Sequence, residues 1–64
     1  MNTNKLLRRK EVEKVTGLKR SSIYLKIQSG DFPKPIKLGL RTVAWVEADI
    51  QQWIDGKITE SKSI

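Results

Sequence analysis

The chain has 64 residues, a net charge of +6, and neither cysteine nor histidine. Disulfides, thiolate nucleophiles, the commonest general base and the usual zinc ligands all need those two residue types, so the composition argues against an enzyme or a metal site. A core this small can hardly enclose a ligand pocket of roughly 300–1,000 Å³, and no apolar run approaches the ~20 residues that span a membrane. We therefore expect a cytoplasmic protein without cofactor, small-molecule ligand or membrane contact, which functions through its surface.

A short helix is predicted near the start of the chain. Leu6 and Leu7 open the apolar pattern. Val12 and Val15 then lie three residues apart, on one face of a helix over residues 10–16. Gly17 is expected to end this helix, because glycine adopts the left-handed conformation without steric cost.

A second helix is predicted to begin at Lys19 or Arg20 and to end at Gln28. Its buried face is marked by Ile23 and Ile27, which are four residues apart. Two short helices separated by a glycine turn are typical of a helix-turn-helix.

A strand pattern follows the second helix. Residues 36–38 alternate between apolar and basic, and residues 42–46 are rich in strand-forming types. Gly39 and Leu40 are predicted to form a two-residue hairpin turn, with Gly39 at a position that needs positive φ. The prediction is a two-stranded wing with Arg41 close to its tip.

A third helix is predicted from Glu47 to Asp55, ended by Gly56, with an apolar stripe at Ile50, Trp53 and Ile54. The aromatic residues Phe32, Trp45 and Trp53 are expected in the core with Ile50. The predicted fold class is mainly α with a small β-hairpin: a winged helix-turn-helix of three short helices and a two-stranded wing. We expect one domain over residues 5–56, with flexible termini at 1–4 and 57–64.

Positive charge is concentrated in the first two-thirds of the chain. Residues 5–41 contain eleven Lys and Arg against three Asp and Glu, whereas residues 42–64 contain two against four. The electrostatic field of such a charge distribution attracts polyanions. A surface whose lysines and arginines only increase solubility is the alternative explanation for this distribution. An anionic membrane is the less favoured target, because no strongly amphipathic basic helix is evident.

The start of the second helix, Lys19-Arg20-Ser21-Ser22, is the central candidate site. In a helix-turn-helix these residues meet base edges in the major groove. Two cations at a helix N-terminus oppose the helix dipole, a conflict that a DNA phosphate would remove. The alternative role for either serine is N-capping.

Further candidates lie along the same helix and in the wing. Leu25 shares the outward face with Ser21 and Gln28 and is placed to meet a thymine methyl group. Lys26 is expected on a backbone phosphate. Lys37 and Arg41 are expected on the adjacent minor groove or its phosphates, with a solvated hairpin as the alternative. Tyr24 either packs half-buried against the wing or reaches a phosphate. The weaker candidates are Lys5, Arg8, Arg9 and Lys34, each of which could simply be solvated.

Three stretches together resemble the AlpA family of phage and prophage regulators. They read LLRRKEVEKVTGLKRSSIY, GDFPKPIKLGLR and VAWVEADIQQWI, and the resemblance runs without a gap over residues 6–54. The resemblance implies a fold like that of MerR-type winged helices and small phage excisionases. Members of the family are described as DNA-binding transcriptional regulators, often encoded beside an integrase, and some act as excisionases.

Carried over by this resemblance, Arg20, Ser21, Ser22 and Tyr24 fall in the recognition helix and Arg41 falls in the wing. The sequence departs from the family pattern in two places, at Lys19 and at the pair Leu25-Lys26. Lys19 stands where the family usually has a capping serine. Leu25 stands where the family commonly has arginine, and it is followed by Lys26 where an apolar residue is usual.

The resulting hypothesis is a sequence-specific regulator that binds double-stranded DNA and belongs to a prophage or integrative element. Its further partners would be an integrase or additional copies of itself on DNA. One alternative is an excisionase that bends DNA for an integrase. An alternative of another class is a protein-interaction module that binds an acidic protein surface without binding DNA.

Overall fold

The computed structural model of the protein describes residues 4–62. In chain order its elements are β1 (Leu6–Leu7), α1 (Arg9–Thr16), α2 (Arg20–Gln28), β2 (Ile36–Lys37), β3 (Val43–Val46) and α3 (Glu47–Lys62). The expected fold class, mainly helical with a small β-hairpin, is confirmed. Within residues 4–62, no helix has the length and apolar character that crossing a membrane requires.

Helix α1 has well-defined ends. Glu11 Oε1 accepts a hydrogen bond from the backbone N–H of Arg8 (3.0 Å) at its start. Gly17, with φ of 74°, ends it and donates its N–H to the carbonyl of Glu13. The predicted role of Gly17 is thereby confirmed. Val12 is fully buried, but Val15 is 53% exposed. Three residues rotate a helix about 60° short of a full turn, so the core covers Val12 but leaves Val15 largely exposed.

The sheet has three antiparallel strands in the order β1-β3-β2, not the two that were predicted. Leu7 pairs with Trp45 on one side of β3, and Ile36 pairs with Ala44 on the other. Strand β1 was missed because two residues are too short to show an alternating pattern.

The turn of the wing also differs from the prediction. The backbone N–H groups of Leu38 and Gly39 both donate to the carbonyl of Thr42, at 2.7 and 3.2 Å. The chain therefore reverses over the three residues 39–41 instead of two. Gly39 does not have a positive φ, since Gly17 and Gly30 are the glycines with that conformation among the described residues. The longer loop spreads the reversal, so no left-handed residue is needed at position 39.

The core lies between the sheet and the helices. Its buried members are Leu7, Val12, Ile23, Phe32, Trp45 and Ile50. Trp45 donates its indole N–H to the carbonyl of Pro33 (3.0 Å), so its polar atom is satisfied inside. Trp53 is half-buried and packs edge-on against Phe32, with ring centroids 4.8 Å apart. The predicted core placement is confirmed for Phe32 and Trp45, whereas Trp53 is partly buried and packs against the core.

Helix α3 is longer than predicted, because it continues through Gly56 to Lys62. A glycine inside a helix costs only about 1 kcal/mol relative to alanine, and contacts on both sides of it hold the helix together. Lys57 Nζ lies 3.3 Å from Asp31 Oδ1 and 5.5 Å from the Trp53 ring centroid. Trp53 donates its indole N–H to the carbonyl of Asp31 (2.7 Å). Residues 57–62 of the expected flexible terminus are thus helical; positions 1–3, 63 and 64 lie outside the described residues.

The ion pair between Asp31 and Lys57 shifts the pKa of both groups. A hydrogen bond from Lys57 and its positive charge, assisted by the charge of Lys26, hold the pKa of the Asp31 carboxyl below its ordinary value. The same hydrogen bond raises the pKa of Lys57. Both groups are therefore charged at neutral pH, and the pair joins the turn after α2 to the second half of α3.

The different backbone conformations of two glycines give a direct test of the α3 boundary. Gly56 lies inside α3 and an added Cβ would meet open space, so Gly56→Ala should raise the free energy of unfolding by about 0.5–1 kcal/mol. Gly17→Ala should lower it by about 1–2 kcal/mol, because residue 17 is left-handed. Urea titrations of both variants provide the measurement. A loss of stability in Gly56→Ala equal to that in Gly17→Ala would contradict the continuous helix.

Candidate nucleic-acid interface

The N-terminus of α2 carries no side-chain cap. Lys19 occupies the N-cap position with the extended backbone that caps adopt (φ −81°, ψ 160°), but its side chain makes no capping hydrogen bond. A lysine has no acceptor atom to offer the N–H groups of the first turn. Ser21 and Ser22 lie inside the helix, so neither serves as its N-cap. The first-turn N–H groups are left to solvent or to an anion.

The outward face of α2 is the one predicted from the sequence. Ser21 and Gln28 are exposed and Leu25 is 65% exposed, while Ile23 on the opposite face is fully buried. Ser22 is partly buried beside them. The exposed face is therefore free of core contacts and presents one hydroxyl, one apolar and one amide side chain.

A groove of about 400 Å³ connects α2 with the wing and with the start of α1. We call it the basic groove, and its lining residues are Arg8, Arg9, Lys10, Arg20, Tyr24, Arg41 and Val43. Five of these seven residues are cationic. Arg9 is paired with Glu13 (Nε to Oε2 3.1 Å). Within residues 4–62, the other four cations have no carboxylate oxygen within 4.0 Å.

Tyr24 orients one of these cations. The guanidinium of Arg20 lies 5.9 Å from the centroid of the Tyr24 ring, within the range of a cation–π contact. Tyr24 itself is 37% exposed and lines the basic groove together with Arg41 and Val43. Its two predicted roles, packing against the wing and reaching a phosphate, stay predictions. The ring holds the Arg20 side chain beside the groove without neutralising it.

The structure separates the other candidates from the groove. Lys26 Nζ lies 3.5 Å from Asp31 Oδ2 and so belongs to the ion-pair cluster that contains Lys57. Lys5 is paired with Glu47 at 3.6 Å. Lys34 and Lys37 are exposed but do not line the groove. A phosphate contact by Lys26 or Lys37 stays a prediction.

Lys10 was not singled out from the sequence, and Arg8 and Arg9 were ranked as weak candidates. The sequence feature that could have identified them as stronger candidates is the one used for Lys19 and Arg20. The run Arg8-Arg9-Lys10 also places cations at a helix N-terminus, against the helix dipole. Both basic helix starts border the basic groove.

A helix-turn-helix followed by a β-hairpin, with a basic groove between the second helix and the hairpin, is a winged helix-turn-helix. The chain belongs to the family described as Prophage CP4-57 regulatory protein (AlpA), whose sequence model matches residues 5–58. The resemblance stated from the sequence is thereby confirmed.

The chain is also similar to two individual proteins. The chain is 40% identical over 58 residues to the uncharacterized protein ORF88 of Enterobacteria phage P4, covering 91% of this chain and 66% of that protein. It is 38% identical over 56 residues to the DNA-binding transcriptional activator AlpA of Escherichia coli K12, covering 78% of this chain and 80% of that protein. The chain thus spans about two thirds of the length of the phage P4 relative.

The uncapped start of α2 leads to a stability prediction. The backbone at Lys19 already has N-cap geometry, so Lys19→Ser should supply the missing acceptor. Lys19→Ala is the matched control, because it removes the same charge without adding an acceptor. We expect the serine variant to be more stable than the alanine variant by about 1 kcal/mol in chemical denaturation. Equal stabilities would mean that the N–H groups of this turn are already satisfied.

Proposed function

We propose that this protein is a sequence-specific transcriptional regulator of a prophage or integrative element, and that it binds double-stranded DNA. The observation that carries the proposal is the basic groove, which joins the start of α2 to the wing through five cationic side chains. Membership of a family of prophage regulatory proteins supports it. So does the E. coli relative, whose name describes a DNA-binding transcriptional activator.

In the proposed complex, α2 lies in the major groove. A groove about 12 Å wide admits one helix, whose N-terminal residues face the base edges. The side chains that point outward there are Ser21, Leu25 and Gln28. Lys19 and the unbonded N–H groups of the first turn would meet a phosphate at the groove edge.

The basic groove would hold one sugar-phosphate strand. A recognition helix in the major groove and a wing on the adjacent minor groove must be separated by one DNA backbone. In this arrangement Arg20 would border that backbone from the α2 side and Arg41 from the wing side. Arg8 and Lys10 from the start of α1 would contact phosphates of the same strand. Because these cations have no carboxylate partner within residues 4–62, phosphates would neutralise them without first breaking an ion pair.

The alternative, a module that binds an acidic protein surface, also predicts localised positive charge, so selection of a preferred duplex is the observation that separates the two hypotheses. The exposed carboxylates Asp49 and Asp55 lie on α3, away from the residues that line the basic groove. An excisionase role stays a prediction, as does binding of an integrase or of further copies. Excision of the element in cells with and without this chain tests the first of these.

The DNA-binding proposal is tested by selecting duplexes from a random-sequence pool with the full chain. Affinity for the selected duplex should fall with salt at a log–log slope of about −4 to −5, which corresponds to about five neutralised phosphates. Arg20→Ala should weaken binding by about 1–3 kcal/mol and relax the preference at one base pair, if Arg20 contacts a guanine. Arg41→Ala should weaken all sequences alike and make the salt slope shallower by about 1.

The matched control is Lys62→Ala, which removes one positive charge from the end of α3, outside the basic groove. It should leave the sequence preference unchanged and alter affinity less than either arginine variant. If no sequence is enriched, or if Lys62→Ala weakens binding as much as Arg41→Ala, the groove is not the DNA-contact surface.

A further inference from the structure

Leu40 is the most exposed large apolar side chain among the described residues, at 91%. It lies in the three-residue loop at the tip of the wing, directly before Arg41. Leu38, on the near side of the same loop, is also exposed, at 51%. Single exposed leucines are common on protein surfaces and need no explanation by themselves. What distinguishes Leu40 is its position, because the next residue lines the basic groove.

The surroundings of Leu40 favour a polyanion over a protein surface. Residues 32–46 contain three Lys and Arg and no Asp or Glu. A leucine inside an acid-free, basic segment is poorly suited to the mixed charges of a typical protein partner. It fits a nucleic-acid groove, where an apolar tip enters between two rows of phosphates that the flanking cations neutralise.

The tip of the wing lies beyond the core. Leu40 is separated by four residues from Ala44, the buried residue of β3 that pairs with Ile36. At about 3.3 Å per residue, and with the chain turning at residues 39–41, the tip lies at most roughly 13 Å from Ala44. If Arg41 meets the phosphate strand held in the basic groove, Leu40 extends past that strand toward the neighbouring minor groove.

We propose that Leu40 is a wedge that enters the minor groove next to the α2 site and inserts between two base pairs. Leucine is one of the side chains that unstack a base step in this way, and such insertion kinks the duplex toward the major groove. Pyrimidine–purine steps unstack most easily, so Leu40 makes the protein prefer a flexible step, such as TA, under the wing. This inference rests on the proposed function and assigns a specificity-determining residue that makes no hydrogen bond to a base.

The test uses the duplex that the full chain selects from the random pool. The probes are versions of that duplex with 2-aminopurine at each step on the wing side, and versions with dyes at both ends for energy transfer. Wild-type protein should increase 2-aminopurine fluorescence at one step and shorten the end-to-end distance. Replacing that step by AA should weaken wild-type binding at least about fivefold.

Leu40→Ser should remove both the fluorescence increase and most of the bend. It should weaken binding to the selected duplex about tenfold and bind the TA and AA versions equally. Leu40→Met keeps an apolar wedge and should retain all four properties. Ile58→Ser is the matched control, because Ile58 is an exposed apolar residue on α3 (48%) outside the basic groove, and it should behave as wild type. Circular dichroism confirms that each variant is folded.

The outcomes separate this inference from the function on which it rests. If the pool yields no preferred duplex, the proposed function itself fails. If a duplex is selected and Leu40→Ser still bends it, unstacks it and prefers the flexible step, the wedge is overturned while the DNA-binding function stands. A loss of affinity in Leu40→Ser with unchanged fluorescence also overturns the wedge, since Leu40 would then only touch the groove surface.

Discussion

The complete burial of Trp45 is the constraint on which the arrangement of the molecule depends. Trp45 lies on β3, where it pairs with Leu7 of β1, and its indole N–H is bonded to the carbonyl of Pro33. Strand β1 leads directly into α1, and β3 is the second strand of the wing. Trp45 therefore fixes the position of α1 relative to the wing, and both of these elements line the basic groove. Five cations close together repel one another, and burial of apolar surface around Trp45 supplies the free energy that holds them there.

Charge is organised differently on the two sides of the fold. Near α3, three charged residues form a cluster of ion pairs: Asp31 with Lys26 and with Lys57. In the basic groove only Arg9 has a carboxylate partner among the described residues. Paired charges near α3 contribute little electrostatic field at a distance, whereas unpaired cations in a concave surface concentrate it. This difference explains how a domain with a modest core can present a localised basic surface.

The sequence predicted those features that short-range chemistry determines. Gly17 ends α1 because of its backbone freedom, and Trp45 is buried because a domain of this size needs its aromatic residues inside. The features it did not predict depend on tertiary contacts. Strand β1 exists only because β3 lies beside it, and α3 continues past Gly56 because its second half contacts the turn after α2. The groove likewise joins elements distant in sequence: the run of cations that includes Lys10 is visible in the sequence, but its position beside Arg20 and Arg41 depends on the tertiary fold.

The central claim, that the basic groove is the surface that holds DNA, is tested most directly by an NMR titration of the labelled chain with its selected duplex. If DNA lies in the basic groove, the largest shifts occur at Arg8, Arg20 and Arg41, side-chain Nε–Hε signals included, and at the backbone amides of the first turn of α2. Shifts should be small around Val15 and Ile58, which line a different cavity between α1 and α3. Large shifts confined to that second surface, with the arginine signals unmoved, would contradict it.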